Sequence, residues 1–227
     1  MKRNSFLSED SNQKITERGQ IKNWIFGQLL NSILAGEYAP GEKLTIESVA
    51  EEFEVSNTPV REALKELENT GILMKPPYKS YRVREFTLEE VREIYESRNA
   101  LESYACKLAT KRISEEEKEE LKDLHSRGEK HLEAGDMEKF GEYNNTFHAC
   151  IIKASENEHL VQLYRNIQHQ ITLFTFQVFD TTDRSWQTIK EHEEIIKHII
   201  HSAPEKASKS MENHIHNSWK KYEGAET

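Results

Sequence analysis

Residues 55 to 70 read Val55-Ser56-Asn57-Thr58-Pro59-Val60-Arg61-Glu62-Ala63-Leu64-Lys65-Glu66-Leu67-Glu68-Asn69-Thr70. Ser56 is a residue type that caps helices, Pro59 falls in a first turn where its missing N–H costs little, and Gly71 stands where helices end. Val60, Leu64 and Leu67 recur at helical spacing on one face, leaving Asn57, Thr58, Arg61 and Lys65 on another. A shorter amphipathic stretch, Thr45 to Phe53, comes before a break at Glu54-Val55. Ile72-Leu73-Met74 and Tyr81-Arg82-Val83 follow as two strands joined by Lys75 to Ser80. Helix, turn, second helix and wing form the order of a winged helix-turn-helix, whose second helix fits a DNA major groove. The plain alternative is a surface helix with solvated charges.

Upstream, Ile21, Trp24, Ile25, Leu29 and Ile33 give an apolar stripe that predicts a helix from about Glu17 to Ala35, ended by Gly36. The Ala39-Pro40-Gly41 turn leads to an extended piece at Leu44, and Ile46, Val49, Ala50 and Phe53 share a helical face. Downstream, Thr87 with Glu90 and Ser114 with Glu117 form capping-box patterns, Asp136 suits an N-cap and Pro204 a first helical turn. The pattern predicts six helices over 87–112, 114–133, 136–154, 157–179, 185–201 and 204–222, with breaks at Thr181-Thr182-Asp183-Arg184 and Ser202-Ala203-Pro204. The expected fold class is mostly α. A disordered tail over 1–14 precedes a winged helix-turn-helix over 15–84 and an all-α helical bundle over 87–225.

The composition, 36% hydrophobic and 31% charged in 227 residues, is that of a soluble, helix-rich protein. No apolar run approaches the roughly 20 residues that span a bilayer, and the polar stretch Met1 to Gln13 lacks the apolar segment of a secretory signal. Cys106 and Cys150 both read as helix interior, so reduced, buried thiols in a cytoplasmic protein are expected. The net charge of −9 sits unevenly: residues 1–85 hold 12 Lys+Arg against 13 Asp+Glu, and the remainder 19 against 27. Exposed charges farther apart than a Debye length of about 8 Å are largely screened. A local basic patch of Lys75, Lys79, Arg82 and Arg84, joined by Lys22, Arg61 and Lys65, can therefore still meet phosphates.

Three of the ten histidines stand on apolar helix faces. Phe140, Tyr143, Asn144, Phe147, His148 and Ile151 make one inward face, where Asn144 and His148 are an i, i+4 pair able to converge. His192 shares a stripe with Ile189, Ile195, Ile196 and Ile199, and His214 lies with Ala207, Met211 and Ile215. Imidazoles projecting from three helices into one bundle can bind a divalent metal, and the same placement suits histidines satisfied within a core; spacing leaves both open. His169 and His216 read as surface or helix-flank residues.

The run Gly36-Glu37-Tyr38-Ala39-Pro40-Gly41-Glu42-Lys43-Leu44, followed by Val55 to Leu64, resembles the GntR family of bacterial transcription regulators. The second half is similar to the all-helical FCD ligand-binding domain of its FadR-like branch. This resemblance implies a winged helix that reads an operator and a helical domain that senses a small molecule. Metal-binding members carry Asp-x-x-x-His on one helix, a His after Glu on a later one, and a His on the last. Asn144-Asn145-Thr146-Phe147-His148, Glu191-His192 and Asn213-His214 match, so Asn144, His148, His192 and His214 are the implied ligands, with Asn144 where Asp is usual. An amide oxygen can ligate but brings no charge, and three neutral imidazoles plus an amide suit Zn²⁺ or Ni²⁺. Arg98, within Glu96-Ser97-Arg98-Asn99-Ala100-Leu101-Glu102, resembles a position that points an Arg at a carboxylate effector; the alternative is a surface ion pair with Glu102. Ser56, Asn57, Thr58, Arg61 and Lys65 are expected at DNA. Asn57 would favour adenine where many members carry Arg, which favours guanine. Tyr78 and Lys79 are expected at the wing tip, in the minor groove or on the backbone, with Ser80 in the place where wings of the family carry Gly.

The expected protein is a homodimeric DNA-binding transcription regulator, read as a repressor, that binds an inverted-repeat operator under control of a small organic acid at a metal site. Two rivals remain. One is a metal-free regulator that senses an acyl or other apolar effector. The other is a metal-dependent enzyme, disfavoured because no carboxylate is evidently placed as a general base near the three histidines.

Overall fold

The structure, a computed structural model, describes residues 18–178 and 182–223. The expected tail over 1–14, the helix start at Glu17 and the first residue of the expected 181–184 break lie outside the described residues. The chain divides into one unit of residues up to Phe86 together with His169–Gln177, and a second of Thr87–Gln168 and the residues from Val178 onward.

In the first unit the order is α1 (Arg18–Leu34), β1 (Lys43–Leu44), α2 (Ile46–Glu52), α3 (Asn57–Asn69), β2 (Leu73–Met74) and β3 (Tyr81–Val83). A capping box starts α2: the Thr45 hydroxyl accepts from the Ser48 N–H, and the Ser48 hydroxyl accepts from the Thr45 N–H. Glu54, left-handed at φ 54°, turns the chain into α3. Ser56 stands at the N-cap of α3 in extended geometry, but its side chain makes no capping hydrogen bond, so the expected cap is one of position only. Gly71 closes α3 at φ 75°, a left-handed conformation that favours glycine, with the amide end of Gln170 lying over it. Ile25, Leu29 and Ile33 of α1 bury themselves with Val49, Val60, Leu64, Leu67, Ile72, Leu73 and Val83, and Leu173 completes this core. The sheet has the order β1-β3-β2, all antiparallel, with Leu44 opposite Tyr81 and Leu73 opposite Val83. At the wing tip the Lys79 N–H donates to the Pro76 carbonyl at 3.0 Å, and Tyr78 takes the left-handed conformation at φ 60°. The residue in the glycine-like backbone position is therefore Tyr78, not Ser80. Pro77 precedes it, because proline favours the second position of a four-residue turn and a left-handed residue the third.

The second unit holds α4 (Leu88–Arg112), α5 (Glu115–Glu133), α6 (Met137–Ala154), α7 (Glu158–Val178), α8 (Thr182–Ile200) and α9 (Pro204–Glu223), with residues 169–177 of α7 counted in the first unit. The capping boxes at Thr87/Glu90 and Ser114/Glu117 form, and the Asp136 carboxylate accepts from the Lys139 N–H. Helix α8 begins at Thr182 rather than 185, so Arg184 is helical and buried. Helix α4 packs along α9 and against α6, and α5 packs on α6 and α8. Gly128 of α5 faces Tyr143 of α6 so closely that a Cβ would lie 2.4 Å from the ring. Cys106 is buried, but Cys150 is exposed, against expectation, because it lies on the outer side of α6 while Phe147, His148 and Ile151 fill the inner side. No helix among the described residues is long and apolar enough to cross a membrane.

Candidate functional site

The inward stripes of α6, α8 and α9 carry His148, His192 and His214 to one point, and all three are at most 2% exposed. One nitrogen from each lies within 4.8 Å of the others, and His192 Nε2 stands 3.3 Å from His214 Nε2. A tetrahedral ion with metal–nitrogen bonds of about 2.0–2.1 Å separates its ligand atoms by about 3.3–3.4 Å. His148 Nε2 is buried and has no hydrogen-bond partner. The Phe147 ring stacks on His192 at 3.8 Å between centroids and fixes its plane.

Each ring has a partner behind it. Tyr143 Oη lies 2.8 Å from His192 Nδ1, Glu191 Oε2 lies 2.7 Å from His214 Nδ1, and Glu102 Oε2 lies against His148 Nδ1. Arginines back both carboxylates: Arg98 Nε donates to Glu102 Oε1, and Arg184 Nη2 donates to Glu191 Oε2 at 2.9 Å. Tyr164 of α7 is buried close enough to Arg98 and Glu102 to feel their charges. His125 of α5 stands edge-on to Tyr143 with its Nε2 3.1 Å from the Ile189 carbonyl.

Burial pushes all three imidazoles below the usual histidine value of 6.5. His192 falls well below it, aided by His214 and His148; His214 comes to about 4 despite Glu191; and His148 is lowered against the pull of Glu102. Burial raises the Glu102 carboxyl, but Arg98 and His148 outweigh it and hold the group at about 2. Glu191, also opposed by burial, is held at about 2 by His214 and Arg184. Burial keeps the Tyr143 phenol protonated. The cluster at neutral pH is therefore three uncharged imidazoles, the protonation state that binds a metal. The donor set, with His192 and His214 Nε2 3.3 Å apart and His148 Nε2 buried without a partner, fits a divalent ion.

Asn144 is half-buried on α6, one turn before His148. Arg98 does pair with Glu102, but the pair is buried rather than on the surface, at 3% and 1% exposure. Glu102, Tyr143, Glu191 and Arg184 had no expected role as partners of the histidines. Tyr143 stood on the same stripe as His148, Glu191 directly before His192 and Glu102 only as an ion-pair partner for Arg98, while nothing local pointed to Arg184. Glu102 and Glu191 do stand beside the histidines, a closeness the sequence did not show, but each is engaged by an arginine and an imidazole rather than held free as a general base. Cavities of about 350 and 230 Å³ lie elsewhere in this unit, one lined by Ile113, Leu121, Cys150 and Ile199, the other by Arg92, Tyr95, Asn99 and Trp219.

In the first unit Ser56, Asn57, Thr58, Arg61 and Lys65 all lie exposed, opposite the buried Val60, Leu64 and Leu67. Tyr78 is fully exposed and Lys79 is exposed beside it. Lys22 departs from the expected basic patch: its Nζ is 2.6 Å from Glu66. Lys75 lies over the Tyr81 ring at 4.5 Å, and Arg82 Nη1 donates to the Gly41 carbonyl at 2.8 Å, which braces the wing.

Residues 22–83 match the family model for bacterial regulatory proteins of the gntR family, and residues 93–217 match the FCD domain. The chain is 27% identical to the uncharacterized HTH-type transcriptional regulator YdhC of Bacillus subtilis, over 84% of this chain and 85% of that one. It is 25% identical to the probable D-xylose utilization operon transcriptional repressor of Paenarthrobacter nicotinovorans, over 91% and 90%. Among solved structures, E. coli McbR/YncC superposes with a TM-score of 0.76 at 21% identity, covering 89% of this chain and 98% of that one, a likeness of fold.

Proposed function

The chain belongs to the GntR family of bacterial regulatory proteins and carries an FCD domain, and we propose that this DNA-binding transcription regulator is a homodimeric repressor controlled by a small organic acid at a divalent metal. One observation carries the metal reading: buried, uncharged His148, His192 and His214 converge, one nitrogen from each within 4.8 Å of the others and two Nε2 atoms 3.3 Å apart. Three imidazoles suit Zn²⁺ or Ni²⁺. Asn144 would offer a neutral oxygen one turn from His148. The metal would supply an electropositive centre for an anionic effector. Arg98 would face that effector with the terminal nitrogens its bond to Glu102 does not use.

At the other end Asn57, Thr58 and Arg61 would meet base edges and phosphates from the exposed face of α3, with Ser56 and Lys65 at its margins and Tyr78 and Lys79 reaching from the wing. A two-fold dimer would read an inverted repeat. The test is operator selection from random duplexes, followed by gel-shift titration of metal-loaded protein against a panel of small carboxylates. An inverted repeat whose affinity one carboxylate changes at least tenfold, with the change lost on chelation, is expected. Carboxylate-insensitive binding alongside release by an acyl compound would replace this reading with the apolar-effector one.

A further inference from the structure

The metal reading leaves four buried or half-buried charged side chains without a complete role: Arg98, Glu102, Arg184 and Glu191. They repeat one arrangement. On α4, Arg98 Nε donates to Glu102 Oε1, and the other carboxylate oxygen lies against His148 Nδ1; apart from this close contact, neither Oε2 nor Nδ1 has a partner. Between α8 and α9, Arg184 Nη2 donates to Glu191 Oε2 at 2.9 Å, and that oxygen also lies 2.7 Å from His214 Nδ1. The second copy is held from several sides. Arg184 Nη2 also donates to Ser218 Oγ at 2.7 Å, while Gln187 and Asn217 donate to Glu191 Oε1 at 2.9 and 2.8 Å.

We propose that Arg98–Glu102 and Arg184–Glu191 are positioning pairs that fix His148 and His214 as Nδ1–H tautomers, so that both present an Nε2 lone pair to the metal. The inference rests on the three-histidine metal reading and adds how two of its ligands are set before an ion arrives. A neutral imidazole has one N–H, and an ionised carboxylate only accepts, so a carboxylate at Nδ1 keeps the proton there and leaves Nε2 as a lone pair. Arginine supplies the countercharge without which a carboxylate would not stand in this interior. Its influence therefore reaches the ring through the glutamate, as outer partners of metal-bound histidines do.

His192 is different in kind. Its Nδ1 partner is the Tyr143 hydroxyl, which donates or accepts. Without metal, Tyr143 donates to Nδ1 and the His192 Nε2–H donates to the His214 Nε2 lone pair across 3.3 Å. That contact requires an unprotonated Nε2 on His214, which is the state Glu191 imposes. Two ligands are thus preset, and the third changes tautomer when the ion binds.

Side-chain ¹⁵N NMR of the metal-free, full-length protein reads the tautomers, and competition with a chromophoric chelator reads Zn²⁺ affinity. Two paired replacements, Arg98→Met with Glu102→Leu and Arg184→Met with Glu191→Leu, remove each ion pair without stranding a buried charge. Wild type should show Nδ1–H at His148 and His214. Each paired variant should release its own ring to the Nε2–H or a mixed tautomer, leave the other ring unchanged, and bind Zn²⁺ roughly 10–100-fold more weakly. Nε2–H at either ring in wild type would overturn the inference even if a variant failed to fold, and so would unchanged Zn²⁺ affinity in folded variants. A wild type with both Nδ1–H tautomers that binds no Zn²⁺ would instead overturn the metal reading itself.

Discussion

Arg61 projects from the exposed face of α3, opposite Val60 and Leu64, so its removal should leave the core of the first unit intact. Arg61→Ala should lower operator affinity by about 1–3 kcal/mol if it contacts a base, with circular dichroism unchanged; an unaltered gel-shift midpoint would remove Arg61 from the interface. The histidines make a second prediction at this scale. All three are held below 6.5 in the folded chain, His214 at about 4, so as pH falls the unfolded chain takes up protons first. The stability of metal-free protein should be full above pH 6.5 and fall between about 6.5 and 4. Urea midpoints across that window check the slope, which should flatten in His214→Gln. That each imidazole sits on an apolar stripe was legible in the sequence. That Glu102 is buried was not, because Arg98 and Glu102 at i, i+4 have the pattern of a solvated surface pair, and only the packing of α6 and α9 on α4 encloses them.

At the scale of elements, Gly128 lets α5 approach α6 closely enough for Tyr143 to reach His192. Gly128→Ala gains helix propensity of about 1 kcal/mol, but the added methyl meets the Tyr143 ring, and overpacking costs about 1–3 kcal/mol. The variant should melt lower than wild type and bind Zn²⁺ more weakly. Equal melting and equal affinity would show that the two helices part without disturbing His192. Helix existence was readable throughout, since 3.6-residue periodicity and capping boxes act locally. What escaped depends on tertiary context. Tyr78 rather than Ser80 takes the left-handed wing position because Pro77 places the turn two residues earlier. Leu173 on α7 joins the core of the first unit, which no local pattern on a helix in the second half of the chain announces.

For the molecule as a whole, the acidic balance of −9 is tolerable in a DNA-binding protein because the acidity lies mostly beyond residue 85, while Arg61, Lys65, Lys75 and Lys79 stand exposed in the first unit. The sensing half of the account rests on the three-histidine cluster holding an ion, which would also stabilise the folded chain by linkage. Elemental analysis of protein purified without chelator tests this most directly. The account predicts about one divalent ion per chain in wild type, as a tetrahedral three-histidine site would take, and loss of most of it in His192→Ala. A metal-free wild type whose melting temperature neither Zn²⁺ nor Ni²⁺ raises would contradict it.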